Sequence, residues 1–228
     1  MISDKSQTVI PEGFAELYRL LSPSGQQFLT DFICVKTVSA GENVLFHGTG
    51  KDALITIRSG MLRVYMASVH GREVTILSLR QGELFNIVTA DEAREGDVVP
   101  QLQASRDTII AYVKRPVLQT LAAQSPAAAD YLFRISVKNA QDILNRVNTC
   151  LFFPVAQRIA CLLLKLSEEQ GSDTLTVTHE LIANHLGTTR EVVSREIISL
   201  RADGLLASRH GKTIILDRPR LQALAKTQ

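Results

Sequence analysis

The chain has little cysteine, almost no excess of charge of either sign and no long apolar run. Its three cysteines, Cys34, Cys150 and Cys161, form neither an even set nor a C-x-x-C pair. That disfavours a disulfide framework or a structural zinc site and suits a reducing compartment, with each thiol read as a small buried hydrophobe. Lysine and arginine number 25 against 23 acidic residues, for a net charge of +2, so any affinity for nucleic acid must come from a local cluster rather than a basic whole. No segment approaches the roughly 20 apolar residues of a membrane span. Met1 to Thr8 lacks an apolar core behind a positive flank, so it does not read as a signal peptide. The expected location is cytoplasmic, with no membrane partner. Paired carboxylates, a nucleophile with its base and a glycine-rich phosphate loop are all missing, so neither catalytic nor metal-ligating residues are nominated.

What is present is globular. Hydrophobic residues make up 45% of the 228 positions and charged residues 21%, enough for a core and, at this length, for two domains. From Pro11 to Phe32 apolar residues recur at helical spacing around the turn signal Ser22-Pro23-Ser24-Gly25. From about Thr37 the period becomes two, in Leu54-Ile55-Thr56-Ile57 and Leu62-Arg63-Val64-Tyr65-Met66, with glycines at 50, 60, 71 and 82 between the runs. Asp107 to Lys114 supplies a last strand before Pro116, and this pattern predicts an antiparallel barrel or sandwich.

After Pro126 the helical period returns. Phe133, Val137, Ala140, Leu144, Val147 and Leu151 are spaced 4, 3, 4, 3 and 4, an a/d seam for a partner helix, with a second apolar edge at Leu132, Ile135, Ile143 and Cys150. One wide core-facing stripe is the plainer reading of the same pattern. Pro154 opens a further helix carrying Val155, Ile159, Leu162, Leu163 and Leu166 until Gly171. The expected division is 1–115, helices and barrel; 116–152, long helix; and 153–228, a second domain.

That second domain carries the most specific signal. Thr174 to Thr176 reads as a strand, Thr178 as an N-cap, and His179 to Leu186 as a two-turn helix closed by Gly187. A second helix follows, with Val192, Val193, Ile197, Ile198 and Leu200 expected to be buried and Arg190, Glu191, Ser194 and Arg195 on the other side. Ala183, Gly187 and Val193 supply the small crossing residue, the turn glycine and the apolar contact that a helix-turn-helix needs. Two strands, Leu205 to Ser208 and Thr213 to Leu216, enclose Arg209-His210-Gly211-Lys212, a wing with a basic tip. Cations at 190, 195, 201, 209 and 212 outnumber the anions at 191, 196 and 203 along this stretch, although a solvated face would show the same balance.

Thr189-Arg190-Glu191-Val192-Val193-Ser194-Arg195, with Gly204-Leu205-Leu206 and Gly211-Lys212-Thr213-Ile214, resembles the recognition helix and wing of the Crp/Fnr family. Ala40-Gly41-Glu42, Ile57-Arg58-Ser59-Gly60, Val64-Tyr65, Gly71-Arg72-Glu73 and Gln81-Gly82-Glu83 resemble its sensor roll. The resemblance implies an α+β fold: an N-terminal antiparallel β-roll of the jelly-roll, cyclic-nucleotide-binding type, a long dimerisation helix and a C-terminal winged helix-turn-helix. It implies a homodimeric transcriptional regulator with double-stranded DNA and RNA polymerase as partners. Glu191, Ser194 and Arg195 match the Fnr-like E-x-x-S-R pattern, which implies a TTGAT-like palindrome. Arg195 would donate to guanine, Glu191 would accept from a base amino group, and Arg190 would read a base or grip a phosphate. Thr178, Thr188, Thr189, Arg209 and Lys212 are expected at the DNA backbone. A simple i,i+4 pair between Glu191 and Arg195 is the structural alternative.

Within the family, cyclic nucleotide is held by an arginine followed by serine or threonine. The approximate equivalents here are Val98-Val99, and an anionic phosphate against two valines has no counter-charge. Positions that offer hydroxyls to the base fall near Ile143 and Leu144. Cyclic AMP is therefore disfavoured, and the absence of clustered N-terminal cysteines disfavours an iron-sulfur sensor. Haem stays open as a gas-sensing alternative, since the five histidines include candidates at His47 and His70, whereas His179, His185 and His210 fall in the DNA-binding domain. The leading expectation is an unidentified small apolar or aromatic effector lined by Leu62, Val64, Val74, Leu84, Phe85, Val98 and Ile135, although those residues would equally make a ligandless core. A ligand-binding module with a degenerate DNA domain is the rival from another class.

Overall fold

Apolar runs whose both faces are buried organise the first half of the chain. The computed structural model describes residues 10–44, 52–67, 73–87, 100–209 and 211–226. Val98, Val99, His47, His70 and His210, named above, lie outside them. Two compact units form: residues 1–66 with 76–143, and 67–75 with 144–228. The division falls within the long helix, between Ile143 and Leu144, and the helix itself ends at Phe152.

In the first unit, short helices α1 (Ala15–Arg19) and α2 (Pro23–Phe32) precede strands β1 (Cys34–Val38), β2 (Ala53–Ala67), β3 (Glu73–Leu79), β4 (Leu84–Ile87) and β5 (Gln101–Lys114). The sheet order is β1-β5-β2-β3, with β4 paired to β2, and the described β1–β5, β2–β4 and β2–β5 pairs are antiparallel. Helices α3 (Arg115–Gln124) and α4 (Pro126–Phe152) follow. The expected α+β architecture is thus the one that forms, although the segment from 116 holds two helices, parted at Ser125, rather than one. The Ser125 hydroxyl accepts from the Ala128 amide and so opens the second helix.

The run Leu54-Ile55-Thr56-Ile57 does not alternate in burial: all four residues are at most 1% exposed. Ile55 and Ile57 join Leu62, Val64, Phe85 and Ile110 in one cluster, while Leu54 joins Phe14, Leu17, Leu29, Leu121 and Ile135 in another formed largely by helices. Each such side chain removed from water contributes about 1.5–3 kcal/mol, so covering the second face is what holds the helices against the sheet. The single strand β2 also absorbs what reads as two strands, because Gly60 makes a bulge rather than a turn. Its φ is +94°, the pairing with β5 shifts register around it, and an added Cβ would strike the Thr108 side chain and the Asp107 carbonyl.

The second unit contains α5 (Val155–Gln170), β6 (Thr174–Leu175), α6 (His179–Leu186), α7 (Arg190–Ala202), β7 (Leu206–Arg209), β8 (Lys212–Ile215) and α8 (Arg218–Lys226). A three-stranded sheet in the order β6-β8-β7 packs with the helices around Ile159, Leu163, Leu175, Ile182, Val193 and Leu206. The wing strands sit one residue away from their expected bounds. The Leu205 amide is spent on Leu200 O at the end of α7, and the arms instead run to the tip, pairing Arg209 with Lys212.

Candidate nucleic-acid interface

The geometry of the helix-turn-helix begins with its caps. Thr178 Oγ1 accepts from the Leu181 amide at 3.1 Å, opening α6, and Thr189 Oγ1 accepts from the Val192 amide at 3.4 Å, opening α7. Between them Gly187 is left-handed, with φ +66°, and both its amide and that of Thr188 return to Ala183 O. A Cβ at Gly187 would also collide with the Val74 side chain. The turn is therefore closed by backbone bonds and by steric exclusion together.

On α7, Val193, Ile197 and Leu200 are buried at the i, i+4, i+7 spacing of one helical face. Arg190, Glu191 and Arg195 are exposed, and Ser194 is half-buried. Ile198 does not join the core: it is 60% exposed, because it lies about 100° around the helix from Ile197. Val192 is only half-buried. The outward face thus carries one apolar residue among its polar ones.

Arg195 is 75% exposed, and its Nε lies 3.7 Å from the Glu196 carboxylate. Among the described residues no ion pair joins Arg195 to Glu191 within 4.0 Å. A pair this exposed contributes little and leaves most guanidinium donors free. The Glu191 carboxyl is held below the usual carboxylate range by its own backbone amide, then by the Thr189 hydroxyl, with Arg190 adding a smaller attraction. It is therefore ionised and held near the start of the helix, where the dipole favours an anion. Arg201, Arg209 and Lys212 are exposed, as are Thr178 and, in part, Thr188 and Thr189. The Thr178 hydroxyl oxygen accepts one bond and its hydrogen still allows donation, whereas the Thr189 hydroxyl both accepts from the Val192 amide and serves the Glu191 carboxylate.

Two arginines absent from the sequence reading complete this region. Arg146 Nη2 donates to His185 O and its Nε to Thr75 O at 2.9 Å, while Arg158 Nη1 donates to Leu186 O at 3.0 Å. They satisfy the last carbonyls of α6, where a cation is electrostatically favoured.

The residues of the expected dimer seam are uncovered within the chain. Phe133, Val137, Ala140, Leu144, Val147 and Leu151 are all exposed, Phe133, Leu144 and Leu151 by 60–70%. The second edge behaves differently. Ile135 is buried, and Leu132, Ile143 and Cys150 are half-buried.

The residues expected around an effector are divided among several surroundings. Leu62, Val64 and Phe85 lie in the cluster inside the roll, Leu84 and Ile135 in the cluster formed with the helices, and Val74 against Gly187. Phe85 walls a cavity of about 240 Å³ with Leu102, Ala140 and Ile143. Its polar edge is made by Asn86, Ser136 and Asn139. Asn139, 7% exposed, accepts from the Asn86 amide at 2.9 Å and donates to Leu84 O at 3.2 Å, while Asn86 Nδ2 donates to Ser136 Oγ at 3.1 Å. A side-chain amide thus pairs with β4 as another strand would. Among the described residues no three His, Cys, Asp or Glu side chains are grouped to hold a metal ion, and no helix is long and apolar enough to cross a membrane.

Residues 157–224 match the Crp-like helix-turn-helix domain. Over 209 residues, 92% of this chain and 96% of the relative, the sequence is 23% identical to the cyclic AMP receptor protein of Thermus thermophilus. It is 26% identical over 188 residues to the nitrogen fixation regulation protein FixK of Rhizobium meliloti, covering 81% of this chain and 83% of that one. A solved structure of a Crp/Fnr-family transcriptional regulator from Eubacterium rectale superimposes with a TM-score of 0.83 at 24% identity, over 94% of this chain and 99% of that chain. At that identity the superposition speaks for the fold.

Proposed function

We infer, for a chain that is a Crp/Fnr-type transcriptional regulator, that it reads a two-fold DNA site as a homodimer under the control of a small effector. In this reading residues 1–115 sense the effector, 116–152 dimerise and 153–228 bind DNA. The observation that carries it is the outward face of α7: Arg190, Glu191, Ser194 and Arg195 lie together, opposite the buried Val193, Ile197 and Leu200.

Each group has a defined capacity. Arg195 is exposed and only weakly paired, so it can donate twice to guanine O6 and N7. Glu191 is ionised and can accept from a cytosine or adenine amino group. Ser194 serves as donor or acceptor, and Arg190, at the first position of the helix, reaches a base or a phosphate. Thr178, Thr188, Thr189, Arg209 and Lys212 fix register on the phosphates without reading sequence. The E-x-x-S-R pattern favours an inverted TTGAT-like repeat, and a paired α4 would set two α7 helices one DNA turn apart, about 34 Å. RNA polymerase is the further partner this role requires.

Several relatives, that of Thermus thermophilus among them, are named for cyclic AMP. We assign this chain a different, less polar effector, because Val98-Val99 offers no counter-charge and Ile143 presents an apolar side chain to the roll cavity. Occupancy acts by shifting the population of two dimer states.

The reading is tested by fluorescence anisotropy on a TTGAT inverted repeat and on a scrambled duplex of equal length. Wild type should prefer the repeat, and Arg195→Ala should reduce that preference by about tenfold to a hundredfold, the value of one bidentate base contact. Unchanged preference in the variant would remove Arg195 from base reading, and equal binding of both duplexes by wild type would remove sequence-specific recognition of this repeat.

A further inference from the structure

A second cavity, of about 340 Å³, lies on the outer side of the sheet, bounded by β2, β4, α3 and α4. Half of its lining residues are apolar: Leu54 and Leu118 are buried, Leu132 and Ala122 half-buried, and Phe133 exposed. Asn86 and Ser136 border both this cavity and the one inside the roll, so their mutual hydrogen bond stands in the wall between the two. A pocket of this size and make-up accommodates a small organic molecule.

The cavity is not uniformly apolar, because one end holds an ion pair. Arg115 Nη1 lies 2.7 Å from Asp52 Oδ2, and the Arg115 amide donates to Asp52 O at 3.0 Å. The two partners are unequally exposed: the Asp52 side chain by 7% and that of Arg115 by 59%. Asp52 thus orients the guanidinium from below, while a group with five N–H donors keeps several of them open to the cavity mouth. A guanidinium held in this way matches a planar carboxylate, with which it forms charge-assisted hydrogen bonds. A cationic head would meet Arg115 before it could reach the buried Asp52.

We propose that this cavity binds a small amphipathic carboxylate, its apolar body lying along Leu118, Ala122, Leu132 and Phe133 and its carboxylate on Arg115. Phe133 is also the first residue of the α4 seam, so the occupant touches the surface through which the chain would dimerise. That last consequence rests on the regulator reading, whereas the binding itself does not.

Isothermal titration calorimetry of the full chain without DNA, using sodium octanoate and 1-octanol, tests the proposal. Octanoate should bind at least tenfold more tightly than octanol. Arg115→Met should bring octanoate down to the level of octanol and leave octanol unchanged. Because that variant removes the ion pair between Arg115 and Asp52, Ala122→Trp supplies a second test that keeps the ion pair and fills the cavity, and it should weaken both probes by at least tenfold. No octanoate binding by wild type, no preference over octanol, or octanoate binding unchanged in Ala122→Trp would each overturn the assignment. Loss of preference for the TTGAT repeat with octanoate binding intact would count against the regulator reading alone.

Discussion

Arg146 and His185 are joined by a hydrogen bond from the guanidinium to the backbone carbonyl oxygen, and the same guanidinium donates to Thr75 O. One side chain of α4 thereby ties the start of β3 to the end of α6. Burial is the main cause of a lowered Arg146 pKa, which marks a guanidinium largely withdrawn from water. Arg146→Met should destabilise the chain by about 1–3 kcal/mol, the worth of hydrogen bonds to a charged group set against two carbonyls left unsatisfied. Urea unfolding measures it. Arg146→Lys should recover only part of the loss, since a compact ammonium on a flexible stem does not reproduce a planar fork spanning two carbonyls.

The turn of the helix-turn-helix depends on Gly187 for two separate reasons, its left-handed backbone and the Val74 side chain in the place of a Cβ. Gly187→Ala should cost about 1–2 kcal/mol from the backbone alone. Combining it with Val74→Ala should restore the steric part and not the backbone part, which a double-mutant cycle in thermal unfolding separates.

Glu191 titrates below the usual carboxylate range because its own amide and the Thr189 hydroxyl favour the charged form. A carboxylate with a depressed folded pKa contributes stability above its unfolded pKa and loses it as pH falls through the folded value. The start of α7 should therefore loosen only in strongly acidic solution. An NMR titration of the Glu191 side-chain carboxyl should show the depressed midpoint, and Thr189→Val should move it upward. A midpoint unaffected by that change would remove Thr189 as a partner.

Leu144 is 60% exposed in the single chain, at the centre of the seam. Leu144→Asp should leave far-UV circular dichroism intact and yield monomers by light scattering, since the substitution disturbs no core within the chain and places a charge where a partner helix would pack. A persisting dimer would place the interface elsewhere.

Lys212 pairs with Arg209 across the wing strands and is exposed. Lys212→Ala should weaken binding to repeat and scrambled duplex alike and lower the slope of log K against log salt by about 1 per protomer, the signature of one phosphate contact. A selective loss on the repeat would instead make it a base reader.

Periodicity and caps were legible without any structure. The chain's own residues determined the helix-turn-helix, because Thr178 and Gly187 act through bonds to neighbours a few positions away, and a 3.6-residue period is enough to separate Val193 and Ile197 from Arg190 and Arg195. Local chemistry of this kind is written in adjacent letters. The same reasoning erred over Ile198, whose apolar character is no guide to its face, and over the Leu54 to Ile57 run, where a period of two presumes one wet side.

What only tertiary structure decided is whatever depends on a distant segment. Helices over the outer face of the sheet bury Leu54 as fully as Ile55. Arg146 bonds to Thr75 and His185, and Asn139 to the backbone of β4, and none of these partners is near in sequence. The residues expected around one effector were chosen for being apolar, and they part into separate clusters because hydrophobic character says that a side chain leaves water but not which neighbours it meets.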